Sequence, residues 1–220
     1  MRQFYLFQKG ATVSHQLNWS HYIELLKFKD SNKINYYVNI SINQNLSVRK
    51  LRERIKSNEY ERLSSGTKNK LINKEEIGIK DNILNPIIID TKNKDINIFN
   101  EKVLKELILN NLDNFLKQLG NGYSYIGNEY PILIGDRYNY IDLLLFNYIY
   151  NSFIVIELKV TELKKEHIGQ ILTYMNYIDS NIKSIYQDKT IGIIICKKDN
   201  KFVMEYCSDD RVLRTTYQLN

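Results

Sequence analysis

Two β-rich runs between Tyr140 and Val160 carry charges where apolar residues are expected, and this constrains the fold more than any other feature. The stretch reads Y-I-D-L-L-L-F-N-Y-I-Y-N-S-F-I-V-I-E-L-K-V, with a polar turn over Asn147–Ser152. Asp142 interrupts the first run, and Glu157 and Lys159 the second. Side chains alternate across a strand, so Phe153, Val155, Glu157 and Lys159 share one face, while Asp142 lies with Leu144 and Phe146. A buried carboxylate without a partner is costly or takes up a proton. If the runs pair as a hairpin, Asp142 can lie close to Glu157. Two carboxylates suit a hard cation such as Mg²⁺, and the lysine can orient water or offset charge on a phosphoryl group. The competing reading is a pair of amphipathic edge strands with solvated charges, because Glu-x-Lys alone is common.

The rest of the chain gives these strands a setting. Asn18 or Ser20 predicts the start of a helix running to about Asp30, and a second helix is expected over Lys33–Asn43. Ser47 reads as the N-cap of a third, with Val48, Leu51 and Ile55 buried and Arg49, Lys50, Arg52, Arg54 and Lys56 around them. A helical unit ending in a basic helix resembles a helix-turn-helix reader of DNA, although an ordinary solvated face gives the same pattern. Ser64 onward reads as a linker, with a short strand after Pro86. The expected organisation is therefore a helical, DNA-binding-like domain over 1–64, a variable linker over 65–99 and an α/β domain over 100–220.

Within that last domain a helix is predicted over Asn100–Gln118, a strand over Tyr123–Ile134 and then the hairpin. A helix over Thr161–Tyr177, a strand over Thr190–Cys196 and a short strand over Phe202–Cys207 follow. Gln170 and Tyr174, at i and i+4, share a helix face, and Gly169 is expected to let that helix approach the sheet. His15, His21 and His167 lack metal-helix spacing, and His167 reads as a helix-surface residue. Neither a Walker loop nor a G-x-S-x-G elbow is present.

The net charge of +6 fits a nucleic-acid partner. Enrichment in Lys, Asn, Ile and Tyr, as AT-rich coding DNA would produce, weakens that argument. Cys196 and Cys207 have no CxxC or metal spacing and fit a reducing cytoplasm. Met1–Gly10 lacks a signal-peptide pattern, and the apolar stretch between Asp142 and Glu157 is too short for a bilayer, so no membrane partner is expected.

The order α-β-β-β-α-β, with Asp142 on the second strand and Glu-x-Lys about fifteen residues later on the third, is that of a restriction-endonuclease-like PD-(D/E)XK core. The segments Y-I-D-L-L-L-F, V-I-E-L-K-V, G-Q-I-L-T-Y-M-N-Y-I-D and I-G-I-I-I-C-K resemble the YhcG family of PD-(D/E)XK nuclease domain proteins. M-R-Q-F-Y, W-S-H-Y-I-E-L-L and S-V-R-K-L-R-E-R-I resemble that family's N-terminal helical domain. The resemblance implies an α/β fold with a mixed sheet flanked by helices, preceded by a small helix-turn-helix-like domain. It also implies Mg²⁺-dependent cleavage of DNA, with Mn²⁺ as a substitute, in DNA processing, mobile-element biology or defence. Carried over by position, Asp142, Glu157, Lys159 and Gln170 are the expected catalytic residues, and Asp142, Glu157 and the Leu158 carbonyl the metal ligands. Arg49, Arg52, Lys56 and Tyr174 are the expected DNA contacts.

The chain begins at M-R-Q-F-Y, where relatives carry a longer helical region, so a shortened family member is expected, with a homodimer left open. Many nucleases of this fold use an acid on the first core helix. Glu106 is the available residue, but a helical wheel turns it away from the core stripe. A non-catalytic binding module on the same fold, and a nuclease acting on RNA, remain alternatives.

Overall fold

The computed structural model describes residues 17–91, 99–207 and 209–220. The readings of Met1–Gly10 and His15 lie outside them. The chain divides into two compact units, Met1–Ile77 and Gly78–Asn220.

The first unit is helical among its described residues. It contains α1 (Trp19–Leu25), α2 (Ser31–Asn43), α3 (Val48–Lys56) and α4 (Ser65–Asn73). Each start carries a side-chain cap, which satisfies amide groups that have no partner within the helix. Asn18, Asp30, Ser47 and Ser64 accept from backbone amides of their own first turns. Asp30 therefore opens α2 rather than closing α1, and α1 is shorter than its spacing predicts. Tyr22, Leu25, Tyr37, Val38 and Leu51 form the buried side of these helices. Glu59 is buried among them and is satisfied by the Tyr36 hydroxyl at 2.7 Å and the Arg54 guanidinium at 2.8 Å.

The second unit holds a six-stranded sheet. Its strands are β1 (Ile87–Ile89), β2 (Tyr123–Ile134), β3 (Arg137–Asn147), β4 (Ser152–Glu162), β5 (Asp188–Lys198) and β6 (Val212–Leu219), in the order β1-β6-β5-β4-β3-β2. β2, β3 and β4 are antiparallel, whereas β4, β5, β6 and β1 run parallel. The helices are α5 (Ile79–Asn82), α6 (Glu101–Asn110), α7 (Leu112–Leu119), α8 (Lys165–Asn181) and α9 (Lys201–Cys207). This is the mixed α/β fold expected from the sequence, with the core order α-β-β-β-α-β. No described helix is long and apolar enough to cross a membrane.

Alternation along the strands divides the core into two layers. Leu143, Leu145, Ile154, Ile156 and Leu158 pack with α6 and α7 through Leu104, Leu107, Ile108, Phe115 and Leu119. Leu144, Val155, Ile194 and Cys196 pack with α8 through Ile171, Tyr174, Met175 and Ile178. The turn joining β3 to β4 is fixed by Asn147, whose side-chain oxygen accepts from the Ile149 and Tyr150 amides at 3.0 and 3.2 Å.

Four expectations are corrected. The stretch 65–99 is not a linker throughout: it supplies α4, α5 and β1, with Ile87 and Ile89 buried in the core. Residues 92–98 of it lie outside the described residues. The helix over Asn100–Gln118 is two helices, broken where Asn111 leaves helical geometry. Phe202–Cys207 is helical rather than extended, with the Asn200 side chain accepting from the Val203 amide at 3.3 Å. The strand that follows β5 in the sheet is instead β6.

The fourth correction concerns the close approach of α8 to the sheet. A Cβ on Gly169 would meet nothing within 4 Å. On Gly192, in β5, it would lie 2.6 Å from Met175 Sδ and 2.8 Å from Ile171 Cδ1. The glycine that admits the helix is thus on the strand. Gly192→Ala should destabilise the protein by about 1–3 kcal/mol through overpacking. Gly169→Ala should stabilise it by up to about 1 kcal/mol through helix propensity. Thermal melts of both variants check this, and equal melting temperatures would contradict it.

Candidate active site

The site lies where the β3–β4 ladder stops. Leu143 pairs with Ile156, and the register continues inward from there to Asn147 and Ser152. Beyond it, the Leu158 amide donates to Asp142 Oδ2 at 2.9 Å. A side-chain carboxylate thus replaces the backbone acceptor that an unbroken ladder would provide. In an antiparallel pair, a residue's amide and carbonyl point to the same neighbour. The Leu158 carbonyl is therefore turned toward the β3 side as well.

Glu157 sits beside this break on the α8 side of the sheet, with Val155, and is 1% exposed. Its Oε2 accepts from the Lys159 ammonium at 3.2 Å, whereas Oε1 is buried with no hydrogen-bond partner. Burial, and after it the charge of Asp142, push the Glu157 carboxyl up to about 7, with Lys159 and, to a smaller extent, the Asp142 backbone amide partly offsetting them. The sequence-predicted Asp142, Glu157, Leu158 and Lys159 are therefore brought together.

Three neighbours were not anticipated. Lys105, on α6, donates to Asp142 Oδ1 at 3.2 Å and lies 3.0 Å from Glu129 Oε1. Glu129 sits in β2 between Asn128 and Tyr130, which pair with Leu143 and Ile141, so it faces the Asp142 position across the ladder. Glu101, at the start of α6, has Oε2 4.0 Å from Lys159 Nζ. The first core helix thus turns Glu101 and Lys105 toward the site, one helical turn apart, while Glu106 is exposed.

The remaining candidates are more scattered. The Gln170 amide donates to the Tyr174 hydroxyl at 3.1 Å. Tyr174 was expected to contact DNA, but its ring is buried with Ile171, Met175 and Ile178, because helical spacing places it on the sheet-facing side. His167 is half-buried rather than a free surface residue. Its Nδ1 accepts from the Lys164 amide at 3.2 Å, and burial together with the charge of Lys159 lowers its pKa. In the first unit, Arg49 pairs with Glu53 at 3.3 Å and Arg52 with Glu24 at 2.8 Å, while Lys56 is exposed on the same helix.

The donors present fit a hard divalent cation. Among the described residues no three His, Cys, Asp or Glu side chains cluster as a metal-binding group. The protein's ligands would be the carboxylates of Asp142 and Glu157 with the Leu158 carbonyl, leaving other positions to water and substrate. The unpartnered Glu157 Oε1 is the observation that favours such a use.

A family described as "YhcG PDDEXK nuclease domain" matches residues 80–219, well over half of the chain. The chain belongs to this family. A second family, the DUF1016 N-terminal domain, matches residues 1–62. A protein of Escherichia coli (strain K12) named "Putative nuclease YhcG" is 25% identical over 198 residues, covering 87% of this chain and 52% of that protein. The chain thus spans about half the length of that curated relative. Among solved structures, a repair endonuclease from Pyrococcus abyssi is similar with a TM-score of 0.38 at 16% identity, covering 56% of this chain and 47% of that one. A complex of EndoMS with double-stranded DNA gives 0.37 at 17%, covering 58% and 48%. Superpositions at this level carry no residue-level correspondence.

The Glu157 shift predicts a pH dependence of stability. The folded carboxyl binds its proton more tightly than the unfolded one, whose ordinary value is 4.5. Its contribution is therefore full below about 4.5 and is lost as pH rises through about 7. In a metal chelator, Glu157→Gln should melt progressively higher than the wild type as pH rises from 5 to 8. The gain should approach about 3 kcal/mol, at 1.36 kcal/mol per pKa unit. A constant difference across this range would show that Glu157 titrates normally.

Proposed function

We propose that this chain is a divalent-metal-dependent endonuclease that hydrolyses DNA phosphodiester bonds at Asp142, Glu157 and Lys159. The observation that carries the reading is the nearly inaccessible Glu157 carboxylate, which leaves one oxygen unpartnered beside a second carboxylate. A purely structural ion pair has no use for that open acceptor, whereas a cation ligand requires it.

Asp142, Glu157 and the Leu158 carbonyl would hold Mg²⁺, for which Mn²⁺ is a suitable substitute. Bound there, a divalent cation supplies Lewis-acid stabilisation of the phosphoryl oxygens and lowers the pKa of water. The Leu158 amide fixes the orientation of Asp142. Lys159, anchored on Glu157, offsets negative charge accumulating on the phosphoryl group or orients the attacking water. Gln170, steadied by the Tyr174 hydroxyl, acts as a supporting group.

DNA is the favoured substrate because the chain belongs to a nuclease-domain family and carries a net charge of +6. Arg49, Arg52 and Lys56 on α3 would contact phosphates, Arg49 and Arg52 exchanging their carboxylate partners for them. DNA processing, mobile-element biology or defence, in the cytoplasm, is the corresponding setting.

The test compares wild type with Glu157→Gln on linear, branched and single-stranded DNA and on RNA, with and without Mg²⁺. The wild type should cleave DNA only with Mg²⁺. The variant should retain DNA binding and lose at least about a thousandfold in rate, equivalent to roughly 4 kcal/mol at 1.36 kcal/mol per tenfold. Equal cleavage by both would remove Glu157 from the chemistry. Binding without cleavage by either would make the chain a non-catalytic module, and preferential cleavage of RNA would change the substrate.

A further inference from the structure

Lys105 places a third charged group on the Asp142 carboxylate. Its ammonium is 3.2 Å from Asp142 Oδ1 and 3.0 Å from Glu129 Oε1, and its side chain is 12% exposed. Burial works against the charged form of Lys105, but Glu129 and Asp142 outweigh it and hold its pKa above the usual lysine value. The other Asp142 oxygen is engaged by the Leu158 amide. Both oxygens of the carboxylate proposed as a metal ligand therefore already serve hydrogen-bond donors, one of them a full positive charge.

The backbone around Glu129 is unusual. Its φ is +46°, a left-handed conformation rarely adopted by a non-glycine residue inside a strand. The register of β2 against β3 also shifts between Tyr125 and Gly127, two residues before it. Such irregularities re-aim side chains at sheet positions. Here the result is a carboxylate, 60% exposed, paired with Lys105. Glu129 is the more accessible of the two acidic partners, and Asp142 is the one tied into the sheet.

We propose that Lys105 is a displaceable counter-cation of Asp142: a divalent ion binding there drives the ammonium onto Glu129. This rests on the reading of Asp142 as a metal ligand. An ammonium and a divalent ion on one carboxylate repel strongly in a partly buried site. The carboxylate retains lone pairs for both, so the conflict is of charge rather than of donor count. Glu129 resolves it by keeping the ammonium paired after it leaves Asp142. Lys105 and Glu129 are thus positioning residues that set metal affinity from opposite directions. Lys105 weakens it, and Glu129 relieves that weakening.

The test is calorimetric titration of the full chain with Mn²⁺ alone, at a pH above 7.5 and without DNA. Lys105→Met, which keeps the side-chain volume, should bind Mn²⁺ at least about tenfold more tightly than wild type. Glu129→Gln should bind several-fold more weakly, because Lys105 then remains on Asp142. Asp142→Asn should lose binding. Unchanged or weaker affinity in Lys105→Met, with Asp142→Asn still abolishing binding, would overturn the proposal while leaving the metal site intact. If Lys105→Met does not fold, unchanged or tighter binding by Glu129→Gln overturns it. Wild-type affinity in Asp142→Asn would instead remove Asp142 from the metal site, and the displacement with it.

Discussion

The hydrogen bond from the Leu158 amide to Asp142 Oδ2, at 2.9 Å, is the contact on which the site depends. It ends the β3–β4 ladder, so the two strands stop sharing backbone bonds where their charged residues begin. It also points the Asp142 carboxylate at β4 rather than at solvent. Replacing a ladder acceptor with a carboxylate is inexpensive, because an amide donating to an ionised oxygen makes one of the stronger protein hydrogen bonds. The core helices α6 and α8 pack opposite faces of the same sheet, and the cations at the site come from α6, as Lys105, and from β4 itself, as Lys159.

Charge alternates through the cluster that results. Lys105 lies between Glu129 and Asp142, and Lys159 between Glu157 and, farther off, Glu101. Yet Glu157 keeps an oxygen with no partner, and burial raises its pKa to about 7. Lys159 and the Asp142 backbone amide together do not offset the desolvation. An arrangement selected only for stability would do better with apolar side chains of similar volume. The electrostatic cost at this one position, where a carboxylate interrupts the buried apolar run of β4, is the physical reason to look for chemistry there.

Much of this was legible in the sequence because it is written in period 2. Asp142, Glu157 and Lys159 stand out as charges in apolar runs; alternation puts Glu157 and Lys159 on one face, and pairing of the two runs as a hairpin brings Asp142 beside them. Lys105 and Glu129 are not readable in that way. Lys105 is one of several charged residues on an amphipathic helix, and its direction depends on how α6 is laid against the sheet. Glu129 reaches it through a register shift and a positive φ that no residue pattern announces. The fold shows the same division. Glycine in a helix suggested a close approach, but the contact is made by Gly192 across the sheet. The strand β6 carries Arg214, Thr215, Thr216 and Gln218 among its eight residues, so its low apolarity hid it. Its place is fixed by parallel pairing with β5 and β1 and by Thr215 donating to the Leu84 carbonyl at 2.8 Å.

The central claim is that Asp142 and Glu157 share one divalent cation. Anomalous diffraction from crystals soaked in Mn²⁺ at a pH above 7.5 tests it most directly. A shared ion gives a single strong peak within about 2.0–2.3 Å of a carboxylate oxygen from each residue, close to the distances expected for a small hard cation. A peak elsewhere in the chain, or none at saturating Mn²⁺ with both carboxylates ordered, would contradict it.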